Sequence, residues 1–223
     1  MLAARILAVK RYQHERFSRT YEDISQAPRY APATRFFLED LYGPNDFALR
    51  DAQFARIVPA LVRLFPSEIV ATVVDLSALH ALSERLDMQM ACAMNDDGGP
   101  ISPAAYAAAW CEVGQIAQRE RQINLMLEVG AALDRHTRSL LLRNTLRLMR
   151  RPAQAAGLGA LQTFLERGFD SFRTMDGASD FLSLINRREM ALAKQLFEGC
   201  VGKEHREQAG ARLAKNTRGP ALQ

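Results

Sequence analysis

The chain has 223 residues, a net charge of +4, 48% hydrophobic residues and 24% charged ones. That balance belongs to a globular chain able to bury a core without disulfide or metal staples, and no apolar run reaches the roughly 18–20 residues needed to span a bilayer. Five basic against two acidic residues from Lys203 to Gln223 put +3 of the charge on the last stretch and leave +1 for the rest, which argues against nucleic-acid binding, since such surfaces concentrate Lys and Arg on the folded body.

From Met1 to Ile24, the apolar residues Leu2, Ile6, Leu7 and Val9 alternate with Arg5, Lys10 and Arg11. Those charges interrupt any signal-peptide core, and the spacing predicts an amphipathic helix. Pro28 and Pro32 bracket a linker, so that helix and linker together occupy residues 1–31. A second helix is expected from about Pro32 to Tyr42, with proline in its first turn and Gly43 past its end. Asn45 or Asp46 can cap a third, because a short side-chain oxygen satisfies free backbone N–H groups. Pro59 kinks or restarts it, having no N–H to donate.

Pro66-Ser67-Glu68 opens a long fourth helix to about Met94, and Asn95 to Pro100 forms a loop. Ser102-Pro103 reads as an N-cap and a first-turn proline, starting a helix to about Asp134 that is broken or softened at Gly114 and Gly130. Further helices are expected over about 137–156, 158–174 and 178–198. Ala, Leu, Arg, Gln and Glu dominate, and alternating β-branched runs are missing. The expected fold is all-α: a single-domain bundle of about seven or eight helices with short antiparallel connections over residues 1–202, then a basic, mobile tail at 203–223.

Cys92, Cys111 and Cys200 are odd in number, widely spaced and form no CxxC. That pattern reads against a disulfide framework or structural zinc and in favour of a reducing cytoplasm.

The run Phe36-Phe37-Leu38-Glu39-Asp40-Leu41-Tyr42 resembles the signature of the bacterial FFLEELY-motif proteins, with Asp40 for the second glutamate. Gly43-Pro44, Arg50-Asp51, Phe164-Leu165-Glu166-Arg167-Gly168-Phe169 and Arg188-Glu189 extend the likeness over roughly residues 35–197. The resemblance implies a bacterial, helical protein and carries over no catalytic residue. Read physically, Phe36, Phe37, Leu38 and Leu41 bury one side of a short helix, while Glu39 and Asp40 lie on the other, near Arg35 or Arg50.

Three constellations are candidates for chemistry. On the fourth helix, Ile69, Val73, Leu76, Leu79, Ser83, Leu86 and Met90 form a stripe with His80 at its edge and Glu84 a turn later. His80, oriented by Glu84, is the residue to place near a haem or related cofactor; the competing reading is a histidine satisfied in the core. On the helix after Ser102, Tyr106, Trp110, Val113, Ala117, Glu120, Asn124, Leu127, Ala131 and Asp134 share one face. Glu120 and Asn124 then interrupt an apolar seam beside Trp110, and a buried carboxylate must be paired or protonated. Arg143, Arg147, Arg150 and Arg151 cluster as an anion-binding candidate, or as the solvated side of a helix.

Glu-x-x-His, His-Glu-x-x-His, Gly-x-Ser-x-Gly and phosphate-binding glycine loops are absent, so no catalytic or metal-ligating set is assigned. The expectation is a binding or interaction protein offering a helical groove to a partner chain or an apolar small molecule. Self-association into a homodimer through the amphipathic N-terminal helix is part of that expectation. The alternatives are a haem-type redox protein and, behind it, a nucleic-acid-binding regulator.

Overall fold

The computed structural model describes residues 2–41, 48–64, 66–94 and 99–216, and only the backbone of residues 41, 60, 61, 64 and 201–216. The chain forms α1 (Leu2–Thr20), α2 (Glu22–Gln26), α3 (Ala31–Phe36), a π-helical turn (Phe37–Leu41), α4 (Ala48–Leu64) and α5 (Ser67–Ala93). It continues with α6 (Pro103–Val113), α7 (Ile116–Thr137), α8 (Leu140–Leu148), α9 (Arg150–Ala155), α10 (Gly159–Met175) and α11 (Ser179–Asn216). No strand occurs among the described residues.

Among the described residues the α-helices number eleven, not seven or eight, because three expected helices each divide. The first splits at Tyr21, and the one over 137–156 splits at Met149. The split with most consequence is at Gly114 and Gln115, whose φ angles are both positive, +60° and +64°. Two successive residues in that region cannot continue a right-handed helix, so α7 begins with a new register. Pro59 lies inside an unbroken α4. The last helix runs to Asn216, well past the expected end near Glu198. The Gly43–Pro44 stop, the Asn45 or Asp46 cap and the loop at 95–98 lie outside the described residues.

Caps act where short polar side chains stand. Ser102 Oγ accepts from the Ala105 N–H at 3.2 Å, with Pro103 in the first turn of α6. Ser139 does the same for Leu142 at the start of α8. Asp134 accepts from the Ala178 N–H at 3.1 Å and from Arg138 at 2.8 Å, tying the end of α7 to the start of α11.

α5, α7 and α11 form the centre, with α1 laid along α5 and α10 against α3 and α7. Two apolar clusters follow one another along these helices. One gathers Tyr21, Leu79, Leu86, Phe172, Phe181 and Ile185; the other gathers Val9, Met90, Tyr106, Trp110, Ile123 and Ala193. α1 thus spends its apolar side inside the fold, with Ala8 and Val9 buried.

Two of the stretches that carried the family resemblance pack on each other. Phe36 meets Phe164 at 5.3 Å, and Phe37 meets Phe172 and Phe181 at 6.2 and 6.0 Å. Glu39 and Asp40 do form ion pairs, but with Arg167 at 3.0 and 2.9 Å. Arg50 donates instead to the Asp40 carbonyl. Burial pushes the Asp40 carboxyl up, against the pull of Arg167.

Cys111 and Cys200 are joined as a disulfide between α6 and α11, with Cα atoms 5.3 Å apart, and Cys92 is free and exposed. The reading against a disulfide is therefore corrected. A separation of 89 residues says nothing about proximity once two helices pack side by side. The cysteine count accordingly does not argue for a reducing compartment. Among the described residues, no helix is long and apolar enough to cross a membrane.

Candidate functional site

Between the two apolar clusters lies a layer of charged and polar side chains from five helices. α1 supplies Gln13, Arg16 and Tyr12; α5 supplies Asp87; α6 supplies Tyr106 and Trp110; α7 supplies Arg119 and Gln122; α11 supplies Glu189. Asp87, Arg119 and Glu189 are 6%, 3% and 8% exposed. Buried charge on this scale is costly unless paired and hydrogen-bonded.

Some of it is. Arg16 Nη1 donates to both Glu189 oxygens at 2.8 and 3.0 Å, and the Tyr21 hydroxyl donates to Glu189 Oε1 at 2.6 Å. Burial works against the Arg16 charge, but Glu189 outweighs it and the Arg16 pKa rises. Tyr21 is driven up as well, first by burial and then by the adjacent carboxylate.

Asp87 is less well served. It accepts one hydrogen bond, from Gln13 Nε2 at 2.9 Å. Desolvation lifts its carboxyl to about 6, against the opposing pulls of Gln13, Lys10 and Arg119.

Among the described residues, Arg119 has no carboxylate within ion-pair distance. Its guanidinium carbon sits 4.0 Å over the Trp110 ring, and burial lowers its pKa. Trp110 is held in turn by Tyr106 at 6.0 Å and Phe197 at 5.5 Å, and Tyr106 stacks on Tyr12 at 4.4 Å. Burial pushes the Tyr106 hydroxyl up to about 12.

A cavity of about 50 Å³ opens in this layer, walled by Gln13, Arg16, Tyr106, Trp110, Arg119 and Gln122 among others. Among the described residues, seven buried side-chain polar atoms make no hydrogen bond. Four of the seven are N–H donors of residues that line the cavity: Arg16 Nε, Trp110 Nε1, Arg119 Nε and Arg119 Nη2. Native interiors leave few such groups, because each costs about 1–3 kcal/mol. A second cavity, of about 30 Å³ under Phe17, Tyr21 and Phe37, is apolar.

Of the sequence candidates, Trp110 belongs to this site. Glu120 and Asn124 do not: both are exposed on α7. The break at Gly114 and Gln115 rotates the seam, so Arg119 turns inward and its neighbour Glu120 outward. His80 is half exposed, with Nε2 3.8 Å from Asp51 Oδ2. Glu84 pairs with Lys10 at 2.5 Å rather than orienting His80. The ring offered to a haem therefore faces solvent and lines neither cavity.

The four arginines are not one face, since α8 ends between them. Arg143 is half-buried, and Arg150 is held by Glu166 with three hydrogen bonds of 2.7–3.0 Å. Arg147 and Arg151 are exposed beside the outward leucines Leu140, Leu141 and Leu148.

Arg16, Asp87, Arg119 and Glu189 were missed as site residues. The available signal was charge spaced like core: Asp87 follows Leu79, Leu82 and Leu86 on the buried face of α5, and Arg119 precedes Ile123 and Met126 on that of α7.

Fold and site together define an all-helical protein with a cavity of mixed polar and apolar lining between its helices. The chain belongs to the family described as Domain of unknown function (DUF8198), whose model matches residues 1–202. No curated protein and no solved structure matches it.

Proposed function

We propose that this is a binding protein rather than an enzyme, and that it takes a small molecule rich in hydrogen-bond acceptors inside the bundle. The observation that carries the reading is that three residues lining one cavity, Arg16, Trp110 and Arg119, hold four unmet donors between them. A ligand with acceptors would satisfy groups the protein leaves unsatisfied. The titratable groups nearby are committed to one another, Glu189 to Arg16 and Tyr21, and Asp87 to Gln13. The sequence reading of an apolar guest gives way to a polar one, because the wall carries two guanidinium groups.

The likeness to the FFLEELY-motif proteins is part of the proposal. It is supported by the packing of Phe36 on Phe164, which joins two of the quoted stretches.

The test is a thermal-denaturation screen of small neutral, cationic and anionic polar compounds against the wild type and Arg119→Met. The expected result is that compounds bearing acceptors raise the Tm of the wild type alone. Equal shifts in both proteins, or no shift with any class, would refute the reading.

A further inference from the structure

Resting on that reading, we propose that the ligand is a small monocarboxylate, gripped by the Nε and Nη2 edge of Arg119 above the Trp110 ring. The argument starts from which atoms are unmet. Arg119 Nε and Nη2 are both without hydrogen bonds, and these two nitrogens share one edge of the guanidinium. Their N–H groups run parallel, at the spacing of two carboxylate oxygens, which is the side-on bidentate pairing arginine favours. Arg119 is 97% buried by the complement of its 3% exposure, so a partner on that edge is held out of water.

Charge sets the ligand at one negative unit. Arg16 is already neutralised by Glu189, through hydrogen bonds of 2.8 and 3.0 Å. Arg119 is then the guanidinium on this wall without a bonded carboxylate. A dianion such as phosphate would bring a second charge with no counterpart.

Size narrows it further. About 50 Å³ is room for about three or four water-sized groups. Acetate or propionate fits; a long-chain acid does not. The methyl end of such an acid has Ile123, Met126 and Ala193 to lie against, all of which line the cavity.

Asp87 gives the site a proton dependence. It is held by Gln13, which also lines the cavity, and its carboxyl sits at about 6. The charged and titratable groups around it are Lys10 on α1, Glu84 on α5, Tyr106 on α6 and Arg119 on α7. Ionised Asp87 competes with the ligand for the field of Arg119, and protonated Asp87 does not. Binding therefore tightens as pH falls from 7 towards 5.

Isothermal titration of the full-length protein with acetate, propionate, propionamide and inorganic phosphate reads this directly. Propionate is expected to bind at least tenfold tighter than propionamide, at least tenfold tighter than phosphate at pH 7.5, where phosphate is largely the dianion, and tighter at pH 5.5 than at pH 7.5. Arg119→Met abolishes the binding; should that variant not fold, Ala193→Val, which fills the cavity, is expected to weaken it at least tenfold. Propionamide or phosphate binding as well as propionate would overturn the monocarboxylate while leaving a small-ligand site standing. Ordered water alone at the Arg119 edge, with no carboxylate binding at millimolar concentration, would overturn it too. The wider screen then decides separately whether any small ligand binds.

Discussion

The Arg119 guanidinium lies 4.0 Å over the Trp110 ring, although the two residues stand on opposite sides of the break at Gly114 and Gln115. A cation over an indole face is worth about 2 kcal/mol when desolvated, but the Nε and Nη2 donors remain unmet. Stacking alone does not recover the cost of burying this charge. Replacing buried charge with an apolar side chain of similar length is often neutral, or stabilising by about 1–4 kcal/mol. Arg119→Met is therefore expected to hold or raise stability in urea while removing ligand binding. A loss above about 2 kcal/mol would mean that Arg119 is structural.

Asp87 makes a second prediction, about pH. Its carboxyl is raised from the ordinary 3.8 to about 6 by burial. The folded chain thus holds a proton that the unfolded chain has released between about pH 4 and 6, so stability falls as pH rises through that window and stays lower above it. Two pH units at about 1.4 kcal/mol each make the effect roughly 3 kcal/mol. Asp87→Asn, whose amide oxygen can still accept from Gln13, is expected to be more stable than wild type at pH 7 by up to that amount. The two should converge near about pH 4. Urea midpoints measured across the range check it, and parallel curves for the two proteins would contradict the assignment.

The helical class and the buried stripe of α5 were legible because they depend on period alone: Leu79, Leu86 and Met90 are buried as the spacing predicts. The site was not legible, because it depends on register. The face expected through Glu120 and Asn124 continues the register of α6 across Gly114, whereas the break there turns α7 by one residue's rotation, roughly 100°. The expected register buries Glu120 and Asn124; the one the chain adopts buries Arg119 and Ile123. The bond between Cys111 and Cys200 was hidden for a related reason, since only the side-by-side packing of α6 and α11 brings them together.

That bond is open to direct measurement. The oxidised protein should show one reactive thiol, the exposed Cys92, and three after reduction. Breaking a crosslink between residues 89 positions apart typically costs about 2–4 kcal/mol through the freed unfolded chain. Reduction, or Cys200→Ser, is expected to lower the Tm by several degrees. Three reactive thiols without reductant would show that the pair is not joined.

Two glycines make a final contrast, because a methyl group added at either meets a neighbour. At Gly168 the new Cβ would sit 2.8 Å from Phe36 Cζ, with two further ring atoms at 3.3 and 3.4 Å. Phe36 is 3% exposed and wedged against Phe37 and Phe164, so the flat ring has nowhere to move. At Gly130 the contact is 2.6 Å from Leu182 Cδ2, the end of a half-buried side chain that can rotate away. Alanine in place of a helical glycine contributes about 1 kcal/mol through reduced backbone freedom, against about 1–3 kcal/mol for overpacking. Gly130→Ala is expected to come out near neutral and Gly168→Ala to lose stability, both read from urea midpoints. Should Gly168→Ala prove as stable as wild type, the close seating of α10 on the Phe36–Phe37 turn would be wrong.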